Sequence, residues 1–356
     1  MTPVLPHTTL TAAILLAATL PLSAQLGRRD LEDLERHRRS ESRSTGTVHS
    51  FDFEGDTIKV QSGVYTWDFL DEKEAAEETP SEMTETARKS IEATMSGLPP
   101  DLAIPYSEQM NEYMADYLFR HRKSMGGIIG KYRYYVPQWR AAFRKHGVPE
   151  EICALAIVES AFNIRAVSKA GATGVWQFMP ETARRYGMTV DIYVDERLDP
   201  LRSGEAAARY LANAYKRFGD WRLAIASYNC GPQNVTAAIL KAGSSTFWDI
   251  YPYLPAETRG YVPSFISALY ALTYHEAFGI EPRPYGEGKV AQYKITTFLT
   301  FEQVTQACDC PKEDLKRLNP KYIKGIIPGS KKKPYILRIP GKYEKNFDAY
   351  LKSHAG

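Results

Sequence analysis

The sequence predicts a mainly α-helical protein, in which a large helical domain is followed by a small β-α-α-β domain. The stretch from Tyr106 to about Phe278 repeats apolar residues at helical spacing, with glycines and prolines at the ends of its segments. After Pro282-Arg283-Pro284 the pattern changes to short strand-like and helix-like segments. A chain of 356 residues is long enough to bury one large core and one small one.

Composition indicates a folded protein and argues against one class of partner. Hydrophobic residues make up 44% of the chain and charged residues 24%, which is ordinary for a globular protein. The net charge of +3 is small for this length, whereas nucleic-acid-binding proteins usually carry a concentrated basic face. Nucleic acid is therefore not expected as a partner, and a polar, uncharged or weakly anionic polymer remains open.

The first 24 residues have the features of a signal peptide. An apolar run from Leu10 to Leu20 is followed by Pro21-Leu22-Ser23-Ala24, and the run is too short to span a bilayer as a helix. We expect cleavage after Ala24 and export to the periplasm or cell envelope. No cysteine follows the run, so we expect no lipid attachment there, while peripheral association with the membrane or cell wall stays open.

Residues 25–100 are predicted to form a charged N-terminal extension or linker. The segment is rich in charged residues, serine and threonine, with an acidic stretch from about Glu74 to Glu85. An apolar and aromatic patch from Phe51 to Phe69 has the composition of one or two short strands.

Helix start and stop residues divide the next segment, 101–285, into helices. Pro149 can occupy the first turn of a helix, with Glu150-Glu151 at the positive end of the helix dipole. Asp199-Pro200 offers an N-cap and a first helical residue for a helix that ends near Phe218. Three helices are expected to end at glycines: Gly187, Gly219 and Gly243.

The segment 289–342 is predicted to be a separate small domain. The expected order is strand, helix, helix and closing strand: Tyr293–Ile295, Phe301–Cys308, Lys312–Leu318 and Tyr335–Ile339.

The cysteines and histidines do not indicate a metal centre. Four cysteines allow three disulfide pairings, and the sequence does not choose among them: Cys153, Cys230, Cys308 and Cys310. No histidine and cysteine set has zinc spacing, and the seven histidines form no ligand motif such as His-Glu-x-x-His. We therefore expect no metal and no cofactor, and a metallohydrolase is the least favoured enzyme class.

Glu159 is the strongest candidate for a chemical role. Ile152, Leu155, Ala156 and Glu159 recur at helical spacing, which places the carboxyl on the apolar face of a helix and near its C-terminal end. Burial and the negative end of the helix dipole both raise the pKa, as a general acid at neutral pH requires. Taken alone, the pattern leaves open a buried glutamate with a purely structural partner.

Small, amide and hydroxyl residues follow in four separate segments. These segments are Glu159-Ser160 with Ser168, Gly171 to Gln177, Ser227 to Pro232, and Glu257 to Pro263. Between helices, such side chains can hydrogen-bond a sugar and its acetamido group, while Trp176 or the tyrosines pack against ring faces.

Together the motifs resemble the lytic transglycosylases with the goose-type lysozyme fold, soluble-transglycosylase family 1. The stretch from Tyr134 to Met188 and the later Glu257-Thr258-Arg259-Gly260-Tyr261-Val262-Pro263 are most similar to the membrane-bound transglycosylase D branch. Four separated motifs occur in the family's order. The resemblance implies a lysozyme-like α-helical catalytic domain at residues 101–285.

The resemblance also implies roles for individual residues. Glu159 matches the catalytic acid/base, and Tyr261 matches a tyrosine that can hydrogen-bond its carboxylate. Five further residues are expected to contact or orient the substrate: Ser160, Ser168, Gln177, Tyr228 and Asn229. Departures from the family's pattern are Val175-Trp176 in place of Leu-Met, and Ser227 and Cys230 in place of alanines.

The activity implied by the resemblance is cleavage of peptidoglycan glycan strands without consumption of water. Glu159 would protonate the oxygen leaving from the β-1,4 bond between N-acetylmuramic acid and N-acetylglucosamine. The same group would then take the proton from the 6-hydroxyl of the muramyl sugar, closing a 1,6-anhydro ring.

The small C-terminal domain resembles a degenerate lysin-motif (LysM) module. The residues that carry the likeness are Leu315, Leu318, Asn319-Pro320, Ile326 to Gly329 and Leu337 to Pro340. Phe298-Leu299-Thr300 replaces the usual Gly-Asp-Thr after the first strand. The resemblance therefore implies the module's fold more strongly than its glycan binding.

Two other functions compete with this reading. A goose-type lysozyme would hydrolyse the same bond and would need a second carboxylate to position water, for which Asp191, Asp195 and Asp199 are candidates. A non-catalytic peptidoglycan-binding protein could keep the fold, although the presence of Glu159, Gln177 and Asn229 together argues against it.

Overall fold

The computed structural model describes residues 82–286 and 288–353. The predicted signal peptide, and the part of the predicted linker before residue 82, lie outside these described residues. Within them, no helix is both long and apolar enough to cross a membrane.

Ten α-helices form the body of the described structure. They are α1 (Glu85–Thr94), α2 (Asn111–Ala115), α3 (Arg122–Lys145), α4 (Leu155–Ser160), α5 (Pro180–Arg185), α6 (Pro200–Phe218), α7 (Trp221–Cys230), α8 (Pro232–Ala242), α9 (Phe247–Ile250) and α10 (Ala256–Tyr274). Short 3₁₀ or π turns connect several of them: Met95–Gly97, Glu108–Met110, Asp116–Arg120, Glu150–Ala154, Glu196–Leu198, Tyr251–Tyr253 and His275–Phe278.

Most of the residues predicted to begin or end helices do so in the structure. Asp199 caps α6 by accepting the backbone N–H of Leu201 at 3.1 Å, and Gly219 ends the helix at φ 67°. Pro149 behaves differently, because its extended backbone (φ −55°, ψ 138°) lies before the helix. It leads into the 3₁₀ turn Glu150–Ala154, which continues directly into α4.

The helical body begins earlier than the expected boundary at residue 101. Ile91 of α1, Met95 and Leu98 are buried in the same core as the later helices. The Thr94 hydroxyl also lies 2.6 Å from the hydroxyl of Tyr270 in α10. The end of the predicted linker is therefore packed against the last long helix of the body.

The core surrounds α4, the short helix that carries Glu159. Leu155, Ala156 and Ile157 have no exposed surface. A layer of aromatic rings covers the C-terminal end of this helix, with Trp139 stacked on Phe162 at 5.7 Å and Trp176 at 5.0 Å from Trp139. Close packing on all sides fixes the direction in which α4 presents its side chains.

The C-terminal domain has the predicted strand and helix order, with four additional elements: two short inner strands, a 3₁₀ turn and a final helix. Its elements are β1 (Val290–Ile295), β2 (Phe298–Thr300), α11 (Phe301–Cys308), α12 (Lys312–Leu318), β3 (Ile326–Pro328), β4 (Tyr335–Pro340), a 3₁₀ turn (Gly341–Tyr343) and α13 (Glu344–Ser353). The predicted architecture, a mainly α domain followed by a small domain of strand-helix-helix-strand order, is confirmed.

The two outer strands and the two inner strands pair separately. β1 pairs antiparallel with β4, with Tyr293 opposite Leu337. β2 pairs antiparallel with β3, with Leu299 opposite Ile327. The inner strands have three residues each, which is too short for an alternating pattern to predict them from sequence.

All four cysteines lie in the described part of the chain and carry free thiols. Burial raises the pKa of the Cys153 thiol well above its usual range, so this residue behaves as a small buried hydrophobe.

A buried ion cluster joins the C-terminal domain to the helical body. Asp199, which has no exposed surface, accepts Lys321 Nζ at 2.8 Å and Arg338 Nη1 at 3.0 Å. Burial by itself would raise the pKa of Asp199, but the charges of Lys321 and Arg338 outweigh it and hold that pKa well below its usual range. Both cations come from the small domain, so the carboxylate is one of the points where the domains meet.

Replacing Asp199 with Asn tests this junction. Asn keeps the oxygen that caps α6 but leaves two buried cations without a counterion, which costs about 3–5 kcal/mol in comparable buried pairs. We expect Asp199→Asn to lower the free energy of unfolding by an amount of this order, measured by urea denaturation at pH 7.

The pH dependence and a matched variant sharpen this test. The stabilisation from Asp199 is expected to be complete above its unfolded-state pKa of about 3.9 and to disappear as the pH falls towards the lower folded-state pKa. Asp220→Asn removes a similar capping carboxylate, paired with Arg222 at 2.5 Å but partly exposed. An equal loss in both variants would contradict the special role of the buried junction.

Candidate active site

Glu159 occupies the only position of α4 that is not fully buried. The other five residues of this helix are buried, whereas Glu159 keeps part of its surface accessible. The helix ends directly afterwards, because Ala161 and Phe162 adopt left-handed backbone conformations at φ 50° and 60°. Such conformations cost a non-glycine residue about 1–3 kcal/mol each and are often concentrated at functional sites.

The environment of Glu159 keeps its carboxyl protonated at neutral pH. Burial raises its pKa to about 8, and the negative charge of Glu257 adds to the increase. A hydrogen bond donated by the Tyr261 hydroxyl to Oε1 acts in the opposite direction, because it stabilises the ionised carboxylate. The predicted contact between Tyr261 and Glu159 is thus present, and burial provides the rise in pKa that was expected.

A tight loop carries Ser168 and Gln177. Ser168 and Ala172 exchange hydrogen bonds, with the backbone N–H of Ala172 reaching Ser168 Oγ at 3.0 Å. Gly174 turns the chain at φ 83°, and a Cβ there would lie 2.0 Å from the carbonyl oxygen of Arg197. Only glycine permits this close approach without displacing the backbone.

The side-chain amide of Gln177 has a defined orientation. Its Nε2 donates to the carbonyl oxygens of Ala166 at 3.1 Å and Gly174 at 2.9 Å. Both N–H groups are thereby used, and within the described residues no donor reaches Oε1. Gln177 is half-buried and therefore offers an acceptor oxygen to a ligand.

The side-chain amide of Asn229 is oriented the other way from that of Gln177, with its oxygen bound to protein. Its Oδ1 accepts a hydrogen bond from Thr258 Oγ1 at 2.7 Å, and Thr258 is almost completely buried. No acceptor for Asn229 Nδ2 is found in the ranges 82–286 and 288–353. Asn229 therefore offers donor N–H groups, complementary to the free acceptor of Gln177.

Tyr228 and Ser160 tie the loop to the helices around Glu159. The Tyr228 hydroxyl donates to the carbonyl oxygen of Trp176 at 2.8 Å. Ser160 Oγ donates to the carbonyl oxygen of Val175 at 2.9 Å. These two bonds fix the loop against α7 and α4.

Two sequence-based expectations do not fit this arrangement. Ser160 has no exposed surface and its hydroxyl is bound to backbone, so its contribution is to hold the loop and not to contact substrate. Trp176 is also completely buried and packs against Trp139 and Phe143, so its ring is not available to stack on a sugar. Both side chains are buried in the core beneath the site.

Sequence reasoning missed three residues that shape the site. Thr258 orients Asn229, Glu257 places a second negative charge near Glu159, and Arg197 binds the loop that carries Gln177. Glu257 and Thr258 belong to a motif that the sequence analysis singled out. Arg197 lies outside every motif, and only its position in three dimensions identifies it.

Comparisons with known proteins find two matching families. Residues 138–251 match the family described as the transglycosylase SLT domain, and residues 290–356 match the LysM-like domain of lytic transglycosylase MltD. The resemblance predicted from the sequence is confirmed.

Curated relatives match different shares of the chain. Membrane-bound lytic murein transglycosylase D of Escherichia coli K12 is 29% identical over 248 residues, 68% of this chain and 54% of that protein. Soluble lytic murein transglycosylase of the same organism is 31% identical over 141 residues, 36% of this chain and 21% of that protein. The chain thus spans about half the length of the first of these relatives and much less of the second.

A solved structure is also similar to part of the chain. The lytic transglycosylase Slt of Pseudomonas aeruginosa is 28% identical, with a TM-score of 0.34, over 43% of this chain and 25% of that one.

Removing the Tyr261 hydroxyl tests the electrostatics of the site. Because that hydroxyl stabilises the ionised carboxylate, Tyr261→Phe should raise the pKa of Glu159 above its value of about 8. The shift can be followed by carboxyl ¹³C NMR of Glu159 during a pH titration. Tyr210→Phe is the control, because the Tyr210 hydroxyl donates to the carbonyl oxygen of Ser227 instead. An unchanged or lowered pKa in Tyr261→Phe would contradict this assignment.

Proposed function

We propose that this protein is a peptidoglycan lytic transglycosylase. It cleaves the β-1,4 bond between N-acetylmuramic acid and N-acetylglucosamine, leaves a 1,6-anhydro end, and uses Glu159 as its single general acid/base. The observation that carries the proposal is a half-buried carboxyl with a pKa of about 8, accompanied by two side-chain amides that offer a donor and an acceptor.

The first half of the reaction needs a proton donor at neutral pH. Glu159 supplies it, because its raised pKa keeps the carboxyl protonated. As the glycosidic bond breaks, the leaving oxygen takes this proton and Glu159 becomes a carboxylate. The Tyr261 hydroxyl then stabilises the new negative charge by its hydrogen bond to Oε1.

The second half of the reaction returns the proton. The Glu159 carboxylate removes the proton from the 6-hydroxyl of the muramyl sugar, whose oxygen attacks the anomeric carbon and closes the anhydro ring. A group with a pKa of about 8 is a competent base as well as an acid near neutral pH. The muramyl acetamido group stabilises the cationic centre between the two steps, so one protein carboxyl suffices.

The two amides fit an N-acetyl sugar. An acetamido group carries one N–H donor and one C=O acceptor. Gln177 Oε1 can accept from the former and Asn229 Nδ2 can donate to the latter, since the protein backbone and Thr258 use the other ends of both amides. This complementarity supports a substrate with acetamido groups over an unmodified glucan.

The state of the three candidate aspartates supports a mechanism with one carboxyl. Asp191 Oδ1 accepts the backbone N–H groups of Tyr193 and Val194 at 2.8 Å. Asp195 is paired with Arg197 at 2.7 Å, and Asp199 belongs to the buried ion cluster. A carboxylate that is already bound in this way is a poor base for water.

Hydrolysis of the same bond is the second candidate, and Glu257 is the observation in its favour. This residue is exposed, and its charge is close enough to raise the pKa of Glu159. A goose-type hydrolase would use such a carboxylate to position water. Product analysis separates the two reactions, because transglycosylation gives anhydro ends and hydrolysis gives reducing ends.

Cellular location and glycan binding follow the same proposal. We propose that the protein is exported and acts in the cell envelope, on peptidoglycan strands. The names of its relatives, which include membrane-bound and soluble lytic murein transglycosylases, support this location. The match of residues 290–356 to a LysM-like domain supports a second contact with the glycan.

Glu159→Gln tests the mechanism directly. The amide keeps the shape of the side chain but cannot donate an acidic proton, so cleavage of purified sacculi should fall below detection. Mass spectrometry should find anhydro-muramyl products with the wild-type protein and none with the variant. Wild-type activity in Glu159→Gln would refute the mechanism.

Stability and a matched substitution serve as controls for this experiment. Because the folded-state pKa of Glu159 lies above the unfolded-state value of about 4.3, its ionisation opposes folding as the pH rises. Glu159→Gln should therefore be at least as stable as wild type at pH 7 and above. The matched substitution is Glu257→Gln, which should still release anhydro products. If this variant loses cleavage, and the wild-type protein gives reducing ends, hydrolysis is favoured instead. A binding protein without catalysis would give no products in either form.

A further inference from the structure

Arg197 connects the loop that carries Gln177 to the rest of the molecule. The side chain is 8% exposed, and its Nη1 donates to the carbonyl oxygens of Gly171 at 2.8 Å and Phe178 at 3.1 Å. These two residues lie on either side of Gln177 in the chain. One guanidinium thus holds both ends of the segment 171–178.

The other side of the guanidinium is bound to Asp195. Arg197 Nε and Nη2 donate to its carboxylate at 2.9 and 2.7 Å. The backbone of Asp195 is in turn held by the C-terminal domain, because its N–H donates to the carbonyl oxygen of Lys321 at 2.8 Å. Lys321 Nζ is anchored on Asp199 at 2.8 Å.

Further main-chain contacts join the same two segments. Val194 forms a bridge with Tyr322, and the N–H of Ile323 donates to the carbonyl oxygen of Tyr193 at 3.1 Å. The segment 193–199 therefore lies between the C-terminal domain and the Gln177 loop, in hydrogen-bond contact with both.

We propose that Arg197 is a positioning residue for Gln177 and that the LysM-like domain, by holding Asp195, is part of the architecture of the catalytic cleft. This proposal rests on the proposed function. A planar guanidinium directs its N–H groups at fixed angles, so it can hold a loop in one position. A flexible cation such as a lysine ammonium would allow the loop several positions. A misplacement of about 1 Å at a substrate-binding group can reduce turnover by about 10²-fold.

A double-mutant cycle between Arg197→Met and Gln177→Leu tests this role. If Arg197 acts through Gln177, each single variant should lower kcat/KM on soluble glycan chains by about 10-fold or more, while the double variant should be little worse than Arg197→Met alone. The loss should appear mainly in KM, with the pH profile set by Glu159 unchanged. Multiplicative losses would mean that Arg197 only stabilises the fold, and would overturn the proposal.

Arg222→Met is a matched control. Arg222 forms the same kind of pair with a helix-capping aspartate two residues earlier, Asp220, and donates to the carbonyl oxygen of Ala103. Its contacts lie away from the Gln177 loop, so kcat/KM should stay within about 2-fold of wild type even if the melting temperature falls. A loss as large as that of Arg197→Met would show that the effect is not specific.

A variant in the C-terminal domain tests the second half of the proposal. Lys321→Met removes the anchor on Asp199 and should loosen the carbonyl that holds Asp195. We expect Lys321→Met to raise KM, but less than Arg197→Met does. In a protein that already carries Gln177→Leu, Lys321→Met should not raise KM further. Additivity with Gln177→Leu, or an unchanged KM, would show that the domain does not act on the cleft.

Two further outcomes have distinct meanings. If Arg197→Met does not fold, Arg197→Lys replaces it in the cycle, because lysine keeps the charge but cannot reach all of the partners; the expected non-additivity is the same. If the wild-type protein does not cleave glycan strands at all, the proposed function fails. If it cleaves them and the cycle is additive, only the positioning role fails.

Discussion

The site depends on keeping one carboxyl at a half-buried position at the end of a buried helix. Burial opposes ionisation of Glu159, while the Tyr261 hydroxyl limits that effect by its hydrogen bond, and the balance places the pKa at about 8. Either influence alone would favour one half of an acid/base cycle. Burial without the tyrosine would hold the proton too tightly, and the tyrosine without burial would release it too early.

This balance requires that the surroundings of Glu159 do not move. The loop 171–178 is bound to α4 through Ser160, to α7 through Tyr228 and to the segment before α6 through Arg197. Protein atoms accept hydrogen bonds from six of its eight backbone N–H groups, so the loop has little freedom even though it lies between helices. The same bonds use one end of the Gln177 amide and leave the other end for a ligand.

The C-terminal domain is joined to this network and is not a freely tethered module. Asp199 combines two functions, because it caps α6 and neutralises Lys321 and Arg338 in a largely buried cluster. A buried ion pair adds specificity of position more than it adds stability, since desolvation offsets much of the attraction. A fixed orientation of the small domain relative to the cleft is the physical consequence.

The sequence by itself determined the fold class, the helix over Pro200–Phe218 and the helical face that carries Glu159. Each of these follows from local rules, namely apolar spacing, an aspartate cap and a terminating glycine. Tertiary structure alone decided that Ser160 and Trp176 are buried and that Arg197 and Thr258 shape the cleft. The direction of a side chain near a site depends on neighbours distant in sequence, because packing and hydrogen bonding between elements select it, and no local pattern encodes that choice.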